Sequence, residues 1–335
     1  MGGERIAVVG AGSWGTAFAA MLGERRDEVA LWVREPEVCA DIRERAENRA
    51  FLPGIRIPGT VRPTTDLAEA LGGRTIVAFA VPSQHLRGVA KQAAAHLAAE
   101  ASVVSLAKGV ETGTLLRMTE VLAQVLGVPA ARPAVLSGPT FAREVAEGKP
   151  AGATVASADG ARAVALQAAL CGRRFRLYAE TDVTGIEIGG ALKNVMAIAA
   201  GMADGLGFGN NARALLISRG LAEIARLVGA LGAHPRTFSG LAGLGDLVLT
   251  CTGDLSRNRS LGVRVGRGER AADVVAGTAM VAEGFETARA AVDLSRATGV
   301  PMPISEQVYL ILHEGKDVRA AVSELFGRSL KMEKD

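Results

Sequence analysis

Aromatic residues are scarce, at 4% of a 335-residue chain that is 49% hydrophobic. The apolar content is therefore mostly aliphatic and alanine, which suits helices and a Val/Ile/Leu sheet. Cysteine is equally rare: Cys39, Cys171 and Cys251 are odd in number, far apart and free of any C-x-x-C spacing. That excludes a disulfide framework and predicts reduced thiols in a cytoplasmic protein. Charge of one sign is also lacking, with 38 basic against 35 acidic residues and the basic ones scattered. No electrostatic case for nucleic acid follows. No run of about 18 apolar residues passes without a charge, so no membrane span is expected. The start, Met1-Gly2-Gly3-Glu4-Arg5, leads straight into a strand without signal-peptide patterning. Ile6 stands where myristoylation would require Ser or Thr. Histidines are few: His96, His234 and His313 sit in polar or helical contexts typical of surfaces, and only His85 lies near a candidate crevice.

What is present begins with length, which predicts two domains. Arg5 to Val9 reads as a short buried strand, followed by Gly10-Ala11-Gly12-Ser13-Trp14-Gly15 and an Ala-rich helix to about Leu22. This is G-x-G-x-x-G in a strand–turn–helix setting. The first glycine makes the tight turn, the second admits a pyrophosphate, and the third allows close helix–strand packing. The phosphates would meet the free N–H groups of the helix N-terminus. A second strand, Glu28 to Val33, ends at Arg34-Glu35. Arginine's donor fork suits a 2′-phosphate and points to NADP(H), whereas Glu35 keeps NAD(H) open and a surface Arg–Glu pair is the plainer reading.

Strand and helix patterns then alternate: a helix over Asp66–Leu71, strands at Thr75–Ala80 and Ser102–Ala107, and further strands near Ala134–Leu136, Thr154–Ala156 and Phe175–Tyr178. The alternation predicts a parallel, doubly wound Rossmann-like sheet with ligands outside the strands' carboxyl ends. Ser13, Pro82, Lys108 and Ser137-Gly138-Pro139-Thr140 all follow strands and converge there. Lys108 is either solvated or holds a phosphate or carbonyl oxygen.

After Glu180-Thr181-Asp182 the strand pattern stops, and Thr181 or Asp182 can cap a long helix. Residues 1–182 are therefore expected to form a dinucleotide-binding domain and 183–335 a C-terminal all-helical substrate domain. The expected helices are Ala212–Leu231, Ala272–Val281, Phe285–Thr298, Ile304–His313 and Val318–Leu325.

Between Glu187 and Asp204 stands a single charged residue, Lys193. A lone ammonium on an apolar helix either snorkels to water or is held by a partner, since burial disfavours its charged form. Asn194 follows it, and Gly189 and Gly190 one turn back leave room for a ligand. Gly240 to Gly245 delivers Asp246, a candidate partner for Lys193 or else an exposed helix cap. Ser256-Arg257-Asn258-Arg259-Ser260 offers guanidiniums, an amide and hydroxyls suited to a phosphate dianion, or is a solvated basic loop.

These segments, with Leu52-Pro53-Gly54-Ile55, Ala107-Lys108-Gly109 and Leu244-Gly245-Asp246-Leu247, resemble the NAD(P)-dependent glycerol-3-phosphate dehydrogenases of bacterial type over essentially the whole chain. The resemblance implies reversible reduction of dihydroxyacetone phosphate to sn-glycerol 3-phosphate, supplying membrane phospholipids, by a homodimer. It implies that Lys193 is the acid/base beside Asp246. Lys108, Gly138, Thr140, Asn194, Thr250, Ser256, Arg257 and Asn258 would contact the substrate or line its site. Gly10, Gly12, Ser13, Trp14, Gly15, Arg34, Lys108, Ala142, Arg257, Val281 and Glu283 would contact the cofactor. No metal is called for. Thr140 replaces a usual serine with its hydroxyl kept, and Val33-Arg34 stands where many relatives carry two basic residues. A β-hydroxyacid or 6-phosphogluconate-type dehydrogenase shares a Gly-rich loop and a Lys-Asn helix and is the second enzyme reading. A catalytically inert NADP-binding sensor is the non-enzyme reading, and it predicts a broken Lys193–Asp246–Arg257 set.

Overall fold

A computed structural model describes residues 4–26, 28–234, 236–277, 281–330 and 332–333. The expected start at Met1–Gly3 and residues 278–280 of the expected helix Ala272–Val281 lie outside the described residues. Among the described residues ten strands form: β1 (Ile6–Val9), β2 (Val29–Trp32), β3 (Glu47–Asn48), β4 (Leu52–Arg56), β5 (Val61–Thr64), β6 (Ile76–Phe79), β7 (Ser102–Ser105), β8 (Ala134–Ser137), β9 (Ala151–Ala156) and β10 (Phe175–Glu180). Eight of them make one sheet in the order β10-β9-β8-β7-β6-β1-β2-β5, and β3-β4 is a separate hairpin. Strands β1, β2, β6 and β8 are buried at every position. Continuous apolar runs of this kind are what a sheet covered on both faces requires.

The sheet departs from the expected all-parallel form at one place. β8 and β9 pair antiparallel, Leu136 opposite Val155. Between them the chain makes only a five-residue helix, Ala142–Ala146. At about 1.5 Å per residue that helix is too short to return the chain to the far end of a strand, so β9 sets off from the end at which β8 stops. The expectation also omits β5 and the β3–β4 hairpin. β5 carries Pro63, which a sheet tolerates at its edge, and β5 is an edge strand.

The chain runs from β1 to β2 on one side and returns to β6 on the other, so the strand order reverses between β1 and β6. A crevice opens outside the carboxyl ends of the strands at that reversal. The three cysteines carry no disulfide, and burial pushes the Cys251 thiol up to about 12.

Beyond β10 the described residues are helical. The Lys193 helix, Val183–Gly205, begins at Asp182, whose Oδ1 accepts from Gly185 N at 2.8 Å. It is long and apolar enough to cross a membrane by composition, yet residues 185–203 of it are all buried inside the protein. Apolar all round, it is the core helix about which the second half packs. Glu187 ties it to the sheet side, accepting from Arg117 Nη1 at 3.0 Å and Thr119 N at 2.9 Å. Burial raises the Glu187 carboxyl above its usual range, and Arg117 opposes this.

Helices follow at Asn210–Ala230, Asp246–Thr252, Arg257–Gly266, Ala271–Ala276, Glu283–Thr298, Pro303–Glu314 and Val318–Phe326. The helix expected to reach Val281 stops at Ala276, where Gly277 follows as its C-cap. Two helices are additional: Asp246–Thr252 and Arg257–Gly266. The second owes its place to glycine. A methyl on Gly201 would lie 2.1 Å from Arg259 O, and one on Gly262 would lie 2.1 Å from Ile198 O. With no Cβ on either side, the backbones of this helix and the Lys193 helix touch.

Candidate active site

Lys108, Lys193 and Thr250 converge on one buried carboxylate. A π-helical turn, Leu241–Gly245, closed by Gly245 N to Gly240 O at 3.1 Å, delivers Asp246 as the first residue of its short helix. Asp246 is 1% exposed, so it is a partner and not an exposed cap. Lys193 Nζ donates to Asp246 Oδ1 at 2.7 Å and to Thr250 Oγ1 at 2.7 Å. Thr250 can accept because its own hydroxyl donates to Asp246 O at 2.6 Å. Lys193 does not snorkel: it is 5% exposed.

Lys108, in the loop after β7, is not solvated either. Its Nζ donates to Asp246 Oδ2 at 2.7 Å, to Gly138 O at 2.8 Å and to Thr140 Oγ1 at 3.3 Å. Gly138 takes φ +149° and passes so close to β9 that a methyl would lie 2.7 Å from Ala153 Cα. Two ammoniums on one carboxylate leave the cluster with a net positive charge. Burial lowers the pKa of Lys193 to about 8, with Asp246 raising it and Lys108 lowering it further.

Behind Lys193 runs a chain of amides. Asn194 Nδ2 donates to Lys108 O at 3.1 Å, Asn258 Nδ2 donates to Asn194 Oδ1 at 2.9 Å, and Gly284 N donates to Asn258 Oδ1 at 2.9 Å. Ser256 caps the helix that starts at Arg257, its Oγ accepting from Arg259 N at 3.2 Å. Arg257 and Asn258 therefore stand at a helix N-terminus, which favours anions, with Asn258 buried and Arg257 exposed to solvent. Gly189 and Gly190 do not leave room for a ligand. A methyl there would lie 2.6 Å from Phe238 Cε2 and 2.5 Å from Ser137 Oγ respectively, so both serve packing.

The Gly-rich turn after β1 fits a dinucleotide. Gly10 takes φ +108° with Ala80 O where a methyl would be, and a methyl on Gly15 would strike Gly10 O. Gly12, by contrast, faces open space at the N-terminus of helix Ser13–Gly23, and no side chain caps that end. Close packing at the first and third glycines and clearance at the second form a phosphate cradle. Ser13 Oγ donates to Phe51 O at 2.7 Å. Trp14 and Ala142 pack together about Ala17, Leu52 and Ile55. Arg34 is exposed and bonded to Glu35, Nε to Oε1 at 2.8 Å, so the plainer surface pair is present. Val281 and Glu283 line a cleft of about 560 Å³ with Pro82, Gln84 and His85.

Two polar residues of this region escape a reading of the sequence. Asn48, fully buried, donates to Ala11 O and Thr16 Oγ1, both at 2.8 Å, and fixes the Gly-rich turn. Ser83 holds Glu283. Neither carries a local signal, since each acts on a segment distant in sequence.

A Gly-rich turn at a helix N-terminus in the sheet half and a buried lysine–carboxylate pair in the helical half suit a nicotinamide-dependent dehydrogenase. Sequence comparison is more specific. Residues 5–163 match the N-terminal part, and 182–323 the C-terminal part, of the NAD-dependent glycerol-3-phosphate dehydrogenase family. A protein of Geobacter sulfurreducens named glycerol-3-phosphate dehydrogenase [NAD(P)+] is 51% identical over 332 residues, covering 99% of each chain. One of the same name from Streptomyces griseus is 51% identical over 98% of each. The crystal structure of a glycerol-3-phosphate dehydrogenase from Coxiella burnetii superposes with a TM-score of 0.92 at 39% identity, over 97% of this chain and 99% of that one. The chain belongs to the NAD-dependent glycerol-3-phosphate dehydrogenase family. The β-hydroxyacid and inert-sensor readings are set aside with that match.

Proposed function

We propose that this enzyme reversibly reduces dihydroxyacetone phosphate to sn-glycerol 3-phosphate, with Lys193 as the proton donor. The observation that carries this reading is the Lys193–Asp246–Thr250 contact set beside Lys108. An ammonium has three donors, and two are taken by Asp246 and Thr250. The third is available to a ketone oxygen, which it polarises and then protonates. A bound nicotinamide would supply the hydride. Afterwards Lys193, neutral and with its pKa lowered to about 8, regains its proton from water near neutral pH. In the reverse direction the neutral amine takes the proton from the hydroxyl. Asp246 holds both lysines in place, and its charge offsets the repulsion between them.

Arg257 and Asn258 at their helix N-terminus bind the substrate phosphate, so that binding energy remote from the ketone orients it. Gly138, Thr140, Asn194 and Ser256 complete that pocket. In the same reading residues 1–182 bind the dinucleotide and 183–335 supply the acid/base and the phosphate clamp. Arg34 released from Glu35 favours NADP(H) over NAD(H). The enzyme works as a cytoplasmic homodimer feeding phospholipid synthesis.

Loss of nicotinamide absorbance on mixing the enzyme, NADPH and dihydroxyacetone phosphate tests the reaction, and no oxidation would overturn it. Lys193→Ala is expected to bind NADPH normally and to lose roughly a thousandfold in kcat. Substantial turnover in that variant would remove Lys193 from its role.

A further inference from the structure

The helix Ser83–Ala93 begins directly after β6, at the edge of the crevice, and its own N-cap residue, Pro82, offers no side-chain cap. The cap comes from 200 residues away. Glu283 Oε1 accepts from Ser83 N at 3.1 Å, and Glu283 Oε2 accepts from Ser83 Oγ. A carboxylate at a helix N-terminus is favoured by the helix dipole and by the free N–H groups. Ser83 is 1% exposed, so nothing in water competes for this bond.

The contact closes a ring. Gly109 lies against both partners: a methyl there would come 2.3 Å from Ser83 Oγ and 3.0 Å from Glu283 Oε2. Its neighbour Lys108 is bonded through its carbonyl to Asn194, Asn194 to Asn258, and Asn258 to Gly284, the residue next to Glu283. Ser83 and Lys108–Gly109 come from the sheet half, Asn194, Asn258 and Glu283–Gly284 from the helical half. Glu283 also lines the cleft of about 560 Å³ at the carboxyl end of β6.

We infer that Ser83 is a positioning residue: it fixes the Glu283 carboxylate in the cleft and, through that grip, joins the cofactor side of the crevice to the backbone carrying Lys108. This rests on the reading that Glu283 meets the nicotinamide cofactor. Ser83 touches neither ligand and acts through Glu283, so its effect must depend on that carboxylate.

A double-mutant cycle tests the inference, with Michaelis constants for NADPH and for dihydroxyacetone phosphate, kcat and thermal midpoints measured for Ser83→Ala, Glu283→Gln and the double variant. A hydrogen bond to a charged group lost at Ser83 is expected to raise the NADPH Michaelis constant roughly tenfold while kcat changes about twofold or less. The double variant is expected to bind NADPH no worse than Glu283→Gln alone. A merely structural serine would lower the thermal midpoint and multiply with Glu283→Gln, and that outcome overturns the assignment. A normal NADPH constant in Ser83→Ala beside a weakened Glu283→Gln overturns the role of Ser83 alone. A normal constant in Glu283→Gln overturns the reading of Glu283, and the inference falls with it. Should Ser83→Ala not fold, Ser83→Cys keeps a weak donor and is expected to give a smaller rise, with no rise counting against the inference.

Discussion

Lys193 and Lys108 close on one carboxylate from opposite sides, each Nζ lying 2.7 Å from its own oxygen of Asp246. Lys193 comes from the core helix of the second half and Lys108 from the loop after β7, so Asp246 ties both halves of the fold together. Asp246 is 2% and Lys193 6% exposed at the side chain, and at such burial the neighbours, more than water, set each proton affinity.

The pH dependence follows with a definite sign. With Lys193 as the proposed proton donor, ketone reduction would need its ammonium, whose fraction falls as pH rises through about 8. The kcat/KM for reduction is therefore expected to be flat below that pH and to drop about tenfold per unit above it. Oxidation of the alcohol needs the neutral amine, so its rate should rise through the same pH. Rate profiles in both directions would show one shared pKa, and two unrelated values would contradict the assignment.

Removing the shared charge separates structure from chemistry. Asp246→Asn leaves two ammoniums facing each other with no counter-ion, and breaking a buried pair in this way costs about 3–5 kcal/mol. Asp246 raises the Lys193 pKa and Lys108 lowers it, so the variant's reduction limb is expected below about 8. A thermal melt reads the first effect and a pH–rate profile the second. An unchanged profile would mean that Asp246 does not face the catalytic proton.

In the proposed reading, cofactor choice turns on Arg34, just beyond β2. Arg34 is bonded to Glu35 and exposed to solvent, so a 2′-phosphate can draw it away at little cost. Arg34→Gln is expected to lower kcat/KM for NADPH roughly tenfold and leave NADH within about twofold. Equal losses with both cofactors would place Arg34 outside the 2′-phosphate site.

What could be read from the sequence has a physical pattern. The turn after β1 is legible because Gly10 and Gly15 have no room for a Cβ and Gly12 leaves clearance at the helix N-terminus. Lys193 is legible because one charge in an apolar helix demands a partner, and Asp246 because glycines deliver it. Gly189 and Gly190 misled because a small residue makes room without saying for what, and Phe238 and Ser137 fill that room. The antiparallel turn into β9 depends on the length of a connection, which apolar periodicity does not report. Ser83 is silent because its partner lies 200 residues away and belongs to the other half. Local signals identify the parts, and long-range hydrogen bonds decide how they meet.

The glycine contact between helices offers a test remote from the charges. Gly201 lies two turns beyond Lys193, and its hydrogen faces Arg259 O at a distance that leaves a methyl only 2.1 Å of space. Backbone cannot yield as a flexible side chain can, so Gly201→Ala must push helix Arg257–Gly266 outward. Overpacking of this kind costs about 1–3 kcal/mol. The same shift carries Arg257 and Asn258 away from Asn194, which Asn258 touches at 2.9 Å. The Michaelis constant for dihydroxyacetone phosphate is therefore expected to rise about tenfold or more. The NADPH constant is expected to rise as well, because Asn258 holds Gly284 beside Glu283, although the Gly10–Gly15 turn packs on Ala80 and not on this helix. Calorimetry and initial rates would check both effects. A variant destabilised yet normal in its substrate constant would show that the phosphate clamp does not depend on this helix contact.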